Sequence, residues 1–276
     1  MIELPEALAI ARQMSRELKG KRIREGIRGN SPHKFAFYSR PPDEYQTILA
    51  GKTMGEATDH GGEILAAVEP DHVLVLGCGG ERILLHKDES SLPKKHQLLL
   101  SFSDGTFLSV TVQGWGAALL LHKSELHDHP LVGRRQVSPL DEGFTFERFQ
   151  RLFGELEEGD SRSVKFFAVS KPGIWGLGNG YLQDILFRAK IHPRRRAVSL
   201  DDQEKRAFYE AVKGTIREAA ELGGRDTERD LYNRPGRYVR TLDSRTLGRP
   251  CPQCGTAIEK IFYLGGASYF CPSCQV

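Results

Sequence analysis

No apolar run in this chain approaches the length of a membrane span. The N-terminus also lacks the basic-then-apolar pattern of a secretory signal. A soluble, cytoplasmic protein is therefore expected. No internal repeats are evident. Net charge is small: 39 Lys and Arg against 36 Asp and Glu, a formal +3. Cysteine is scarce, with five in 276 residues.

What little cysteine there is has been concentrated. Cys251-Pro-Gln-Cys254 and Cys271-Pro-Ser-Cys274 lie within the last 26 residues. Each C-x-x-C pair is a tight turn that can aim two sulfurs at one point. Two such pairs can close a tetrahedron around one Zn²⁺. Two disulfides are the alternative, but nothing in the composition indicates an oxidising compartment. With sulfur at all four corners the site is closed, hence structural rather than catalytic. The fifth cysteine, Cys78, sits in Leu76-Gly-Cys-Gly-Gly80 and reads as a small buried residue rather than a nucleophile.

Arginine is also unevenly spread. Between Ile191 and Pro250 lie Arg194, Arg195, Arg196, Arg225, Arg229, Arg234, Arg237, Arg240, Arg245 and Arg249. The planar guanidinium fork suits phosphate. The same stretch holds many acids, so a solvated helical face accounts for part of the set.

The pattern along the chain is α+β. Pro5 and Glu6 favour a helix start, and Leu4, Leu8, Ala11, Met14 and Leu18 give a helical stripe up to Gly20. From Lys21 to Leu121 the chain reads as short strands with Gly- and Asp-rich turns, a β-sandwich or barrel. Ser103-Asp104-Gly105 marks a hairpin. After Pro139 the pattern turns helical, over Phe146–Leu156, Ser163–Val169, Tyr181–Ala189 and Leu200–Leu222. Gly223-Gly224 ends the last of these. Ser124–Gly143 reads as a linker, and Arg225–Pro250 as an ordered but irregular stretch. The expected domains are 1–125, 140–250 and 251–276.

In this order, these residues resemble the Fpg/Nei family, formamidopyrimidine-DNA glycosylase and endonuclease VIII. Met1-Ile-Glu-Leu-Pro-Glu6 is similar to the family's start, Leu177-Gly-Asn-Gly-Tyr-Leu-Gln-Asp-Ile-Leu-Phe187 to its helix junction, and Ala189-Lys-Ile-His-Pro193 to the segment just after that junction. The C-terminal cysteines match its zinc finger. The resemblance covers essentially the whole chain. It implies an N-terminal helix plus β-sandwich, a helical domain of the H2TH type, and a zinc-finger β-hairpin. It also implies a monomer that holds damaged double-stranded DNA between the β and helical domains. Gly178 and Asn179 are then phosphate contacts at a helix N-terminus, and Lys165 lies at the position of a phosphate-contacting lysine. Arg225 joins them as a DNA-binding candidate. The residues that read a flipped base are expected in the irregular stretch it opens.

Several positions depart from the family. Its nucleophile is an N-terminal proline amine, where this chain has Ile2. Ile is not small, so Met1 is expected to stay, leaving a primary amine one residue further out. Glu3, the family's catalytic carboxylate, is present, although an acid at a helix start also complements the dipole. The lysine that assists β-elimination is replaced by Gly62. The wedge loop reads Thr111-Val-Gln-Gly-Trp-Gly116, with Trp115 for Phe and no arginine. Trp115 can stack between bases or serve as a core residue. At the finger tip Gly266 replaces an arginine. Glu3 and Met1 are thus the catalytic candidates. Two functions are expected to compete: a glycosylase that hydrolyses the N-glycosidic bond with weak or absent strand cleavage, or an inactive lesion-binding protein. An RNA-binding module has only the basic stretch behind it.

Overall fold

The computed structural model describes residues 1–77 and 79–276, so the reading of Cys78 lies outside the described residues. The chain forms two compact units. One is Met1–Gln136 with Leu222–Arg237; the other is Val137–Glu221 with Tyr238–Val276. Residues 222–237 fall in the first unit, and the cysteine hairpin falls in the second.

In the first unit, α1 spans Leu4–Leu18. Its buried stripe is Leu4, Ala7, Ile10, Ala11, Met14 and Leu18, with Leu8 only half-buried. A second helix, α2 (Pro42–Leu49), interrupts the stretch expected to be all β. Its start signals were present: Pro42 at the first turn, then Asp43 and Glu44.

Among the described residues of this unit, nine strands form two sheets. They are β1 (Ile23–Arg28), β2 (Ala36–Phe37), β3 (Thr53–His60), β4 (Glu63–Glu69), β5 (His72–Leu76), β6 (Glu81–His86), β7 (Leu98–Phe102), β8 (Phe107–Val112) and β9 (Gly116–His122). One sheet runs β1-β7-β8-β6 and the other β2-β9-β5-β4-β3. Ser103-Asp104-Gly105 turns β7 into antiparallel β8, with Gly105 at φ +85°. Alternate residues of both sheets and the stripe of α1 share one core, including Met14, Ile23, Ile64, Leu74, Leu100, Val110 and Leu120. Large side chains in such a core contribute about 1.5–3 kcal/mol each by leaving water. β5 and β9 are covered on their other face as well. Val73, Val75, Leu119 and Leu121 pack there with Val132, which explains their unbroken apolar runs. Part of the expected linker is therefore this cover.

The second unit holds α3 (Phe146–Phe153), α4 (Val164–Val169), α5 (Asn179–Ala189) and α6 (Asp202–Glu221). Phe144, Phe149, Phe153, Phe167, Phe208 and Tyr209 interlock as edge-to-face and stacked rings. Asp184 of α5 is wholly buried and organises the chain after residue 237. It accepts hydrogen bonds from Tyr238 Oη (2.9 Å) and the amides of Thr241 (2.9 Å) and Leu242 (2.8 Å). The hairpin β10 (Glu259–Tyr263) and β11 (Gly266–Phe270) follows. Phe187, Leu242 and Ile258 pack around Cys251 and Cys271. No helix among the described residues is long and apolar enough to cross a membrane.

Candidate functional site

The N-terminus is built into the first unit, not left as a tail. Ile2 is 5% exposed and its side chain belongs to the main core. Its amide donates to Gly79 O at 2.8 Å. Gly79 N in turn donates to Glu81 Oε2 at 2.7 Å, and Glu81 Oε1 accepts from Ala117 N at 2.8 Å. Glu81 is buried, and burial pushes its carboxyl pKa up. Glycine is required at 79 and 80. A Cβ at Gly79 would lie 2.4 Å from Trp115 O, and one at Gly80 2.0 Å from Gln113 O. This close approach links the Trp115 loop to Ile2 through Gly80 N, which donates to Trp115 O at 2.8 Å.

Glu3 caps α1 and is 3% exposed. Its partner is Arg225, more than 200 positions away and 4% exposed. Arg225 Nη1 lies 3.2 Å from Glu3 Oε1, and Nε lies 3.1 Å from Glu6 Oε1. Arg225 N also donates to Glu6 Oε1 at 2.9 Å, and Nη2 donates to Met1 O. Glu6 completes the knot by accepting from Glu3 N at 3.0 Å. Gly224, at φ +92°, brings the backbone so close that a Cβ there would sit 2.8 Å from Glu6 Cγ. Buried charges of this kind are tolerated only when paired and hydrogen-bonded. Arg225 is thus buried against two carboxylates. Met1's ammonium is also engaged, 2.8 Å from Glu228 Oε1.

The β3–β4 turn closes on the same residues. A Cβ at Gly62 would lie 3.5 Å from Ile2 O and 4.0 Å from Glu3 Cα. The position expected to have lost a lysine is therefore beside Glu3. Its neighbour Glu63 has a carboxyl pKa pushed up to about 7, first by burial and then by the charge of Glu81.

The second unit brings Lys165, Asn179 and the hairpin together. Lys165 is 2% exposed, and burial lowers its ammonium pKa. Its Nζ donates to Tyr263 O (2.7 Å), Ser268 Oγ (3.0 Å) and, more weakly, Gly266 O (3.4 Å). Asn179 Nδ2 donates to Ala267 O at 3.1 Å, and Asn179 Oδ1 is buried with no hydrogen-bond partner among the described residues. Gly178 caps α5 in extended conformation. A Cβ at Gly266 would meet Asn179 Nδ2 at 3.4 Å. Trp115 lies in the first unit and is 46% exposed, so it is a surface aromatic, not a core one.

The four C-terminal cysteines are free, and their sulfurs all lie within 4.8 Å of one another. Cys251–Cys274 and Cys254–Cys271 are 3.8 and 3.4 Å apart, too long for disulfides. A tetrahedron of ~2.3 Å Zn–S bonds has edges of about 3.8 Å, so the set fits one metal ion.

Glu3, Lys165, Asn179, Trp115 and the cysteines are candidates on the sequence alone. Glu228, Glu63, Glu81 and the contacts of Glu6 emerge only from the fold. Glu6 carried only the signal of a first-turn acid. No local pattern marks Glu228.

A sandwich headed by a buried glutamate, a helical unit with a glycine-capped helix, and a four-cysteine hairpin define the architecture of a DNA-glycosylase class. Residues 1–113 match the formamidopyrimidine-DNA glycosylase N-terminal domain, and residues 136–230 match the formamidopyrimidine-DNA glycosylase H2TH domain. The formamidopyrimidine-DNA glycosylase of Cytobacillus firmus is 31% identical over the full length of both chains. That of Bacillus anthracis is 31% identical over 100% of this chain and 99% of its own. The Thermus thermophilus MutM (Fpg) structure superposes with a TM-score of 0.80 at 26% identity, covering 99% of this chain and 98% of that one. A Lactococcus lactis Fpg in complex with abasic-site DNA shares the fold, with a TM-score of 0.83 at 22% identity and 99% coverage of both chains. The chain belongs to the formamidopyrimidine-DNA glycosylase family.

Proposed function

We propose that this protein is a damaged-DNA glycosylase that releases a base by hydrolysis, with Glu3 as its catalytic carboxylate. The observation that carries the reading is the Glu3–Arg225 pair, buried at the head of α1. An ion-paired carboxylate is equipped to accept a proton, not to donate one. Glu3 takes a proton from water as the water oxygen bonds to the sugar C1′. The C1′–N bond breaks, its electron pair leaves with the base, and solvent returns a proton to the base. The products are the free base and an abasic site.

The amines that would divert this chemistry into strand cleavage are not at hand. Ile2 N is an amide donating to Gly79 O, position 62 is glycine, and Met1's ammonium is held by Glu228. Met1's amine, two residues before Glu3 in the chain, is the group to test. The DNA strand is held by phosphate contacts to Gly178, Asn179 and Lys165. Lys165 offers the N–H now loosely engaged by Gly266 O. The exposed Trp115 fills the space a displaced base leaves. Arg225 supports Glu3 and leaves phosphate to other groups. Cys251, Cys254, Cys271 and Cys274 hold one structural Zn²⁺, which fixes the hairpin. The protein acts as a monomer.

The test is a panel of duplexes carrying oxidised bases, uracil, alkylated bases and an abasic site, with binding, base release and strand cleavage scored separately. Base release without strand cleavage is the expected result. Tight binding to one lesion with no release from any would instead identify a lesion-binding protein.

A further inference from the structure

The tip of the β10–β11 hairpin is built against its own local preferences. Tyr263 pairs with Gly266, leaving a two-residue loop of Leu264 and Gly265. Both have positive φ, +52° and +72°. That is the backbone of a tight hairpin turn in which Asn-Gly or Gly-Gly is at ease. A branched leucine at positive φ is strained, and such outliers gather at functional positions. Leu264 is also 46% exposed, and Phe262 two residues earlier is 73% exposed. Neither gains by burial within the protein.

The surroundings of these two apolar groups are cationic. Lys260 Nζ stands 4.9 Å from the Phe262 ring, and Arg194 lies 5.2 Å from the Tyr263 ring. Lys165 ties down Tyr263 O at 2.7 Å and has no carboxylate partner among the described residues. The one acid on the hairpin, Glu259, lies at its far end, opposite Phe270. The tip is thus held rigid, apolar at its apex and positive at its flanks. A polyanion with apolar interior surface fits this pattern, because cations meet its phosphates while an apolar side chain enters its groove.

We infer that Leu264 and Phe262 form an apolar wedge that enters the groove of duplex DNA and supplies a salt-independent part of its affinity. The inference rests on the DNA-binding reading above and adds a contact made by uncharged residues.

The experiment uses the full-length, zinc-loaded protein and a fluorescent duplex carrying a tetrahydrofuran abasic analogue, titrated at 50 and 200 mM salt, values that span roughly the range over which phosphate contacts weaken. Leu264→Asn is the informative change, because asparagine tolerates positive φ. It should keep or raise the melting temperature, lower affinity about tenfold at both salt concentrations, and leave the salt slope unchanged. Phe262→Ser should act in the same direction, whereas Lys260→Ala should reduce the slope. Wild-type affinity in both Leu264→Asn and Phe262→Ser would overturn the wedge. So would a dimer in sedimentation that Leu264→Asn dissolves, since the tip would then serve self-association. Failure of the wild-type protein to bind the duplex at all would instead remove the DNA-binding reading itself.

Discussion

Arg225 holds Glu3 at 3.2 Å and Glu6 at 3.1 Å with the same guanidinium, although it lies more than 200 residues from both. The first turn of α1 and the loop after α6 are therefore one electrostatic unit. Glu3's position is set by a residue of that loop as much as by its own helix.

Glu3→Gln is expected to abolish base release while leaving DNA affinity within a few-fold of wild type. A carboxylate that only complements a helix dipole contributes about 0.3–1 kcal/mol, and its loss would not stop chemistry. Full activity in Glu3→Gln would move the catalytic role to another residue. Arg225→Ala leaves two buried carboxylates without their cation and should cost about 3–5 kcal/mol of stability in urea denaturation.

Borohydride reduction in the presence of abasic DNA should trap little covalent complex. Schiff-base formation needs a free amine, and Met1's is engaged by Glu228 at 2.8 Å. Glu228→Gln should increase trapping if Met1 has any latent reactivity. Efficient trapping by wild type that is lost on N-terminal acetylation would show that the primary amine serves as the nucleophile.

Asn179→Ala and Lys165→Ala should separate in salt dependence. Removing the neutral amide should lower affinity with no change of slope. Removing the lysine should reduce the slope by about 1 and also loosen the hairpin, which would show as faster amide exchange at Tyr263 and Ser268. An unchanged double variant would place the phosphate contacts elsewhere.

Glu63 makes stability depend on pH. Its carboxyl pKa is about 7 in the folded protein, well above its ordinary value. Between about pH 4.5 and 7 the folded state then binds more protons than the unfolded state. Stability from this group is complete below that window and is lost as pH rises through it, by roughly 1–2 kcal/mol after allowance for partial solvent access. Glu63→Gln should flatten the profile and stabilise the protein at pH 8. A wild-type melting profile flat over this range would reject the assignment.

Metal removal tests the cysteine set. A chelator strong enough to strip zinc should release one equivalent and unfold the hairpin, because binding and folding are coupled in such modules. Cys271→Ser, at a wholly buried sulfur, should do the same. DNA affinity should fall with it, since Lys165 and Asn179 both hydrogen-bond to hairpin residues.

Elements with local signals were legible in the chain before it folded. The stripe of α1, the hairpin at Ser103–Gly105, the helix read over Ser163–Val169, and the two C-x-x-C turns all follow from spacing and side-chain chemistry over a few residues. α2 escaped because eight residues give a short periodicity inside a β-rich stretch. Its proline and acids were nonetheless readable.

Long-range packing settled what Glu3, Lys165 and Arg225 face. Arg225 is one of twelve arginines in the stretch from Ile191 to Pro250, and nothing near it in sequence distinguishes a phosphate contact from a buried ion pair. Gly224 brings it against Glu6 with almost no clearance. Nothing near Lys165 in sequence signals its burial, which comes from the hairpin about a hundred residues later. The physical reason is common to all three. Charges and hydrogen-bond donors act over a few ångströms, so their roles depend on which distant segments the core brings within reach. The sequence names the donor and acceptor types, while packing alone sets the pairs.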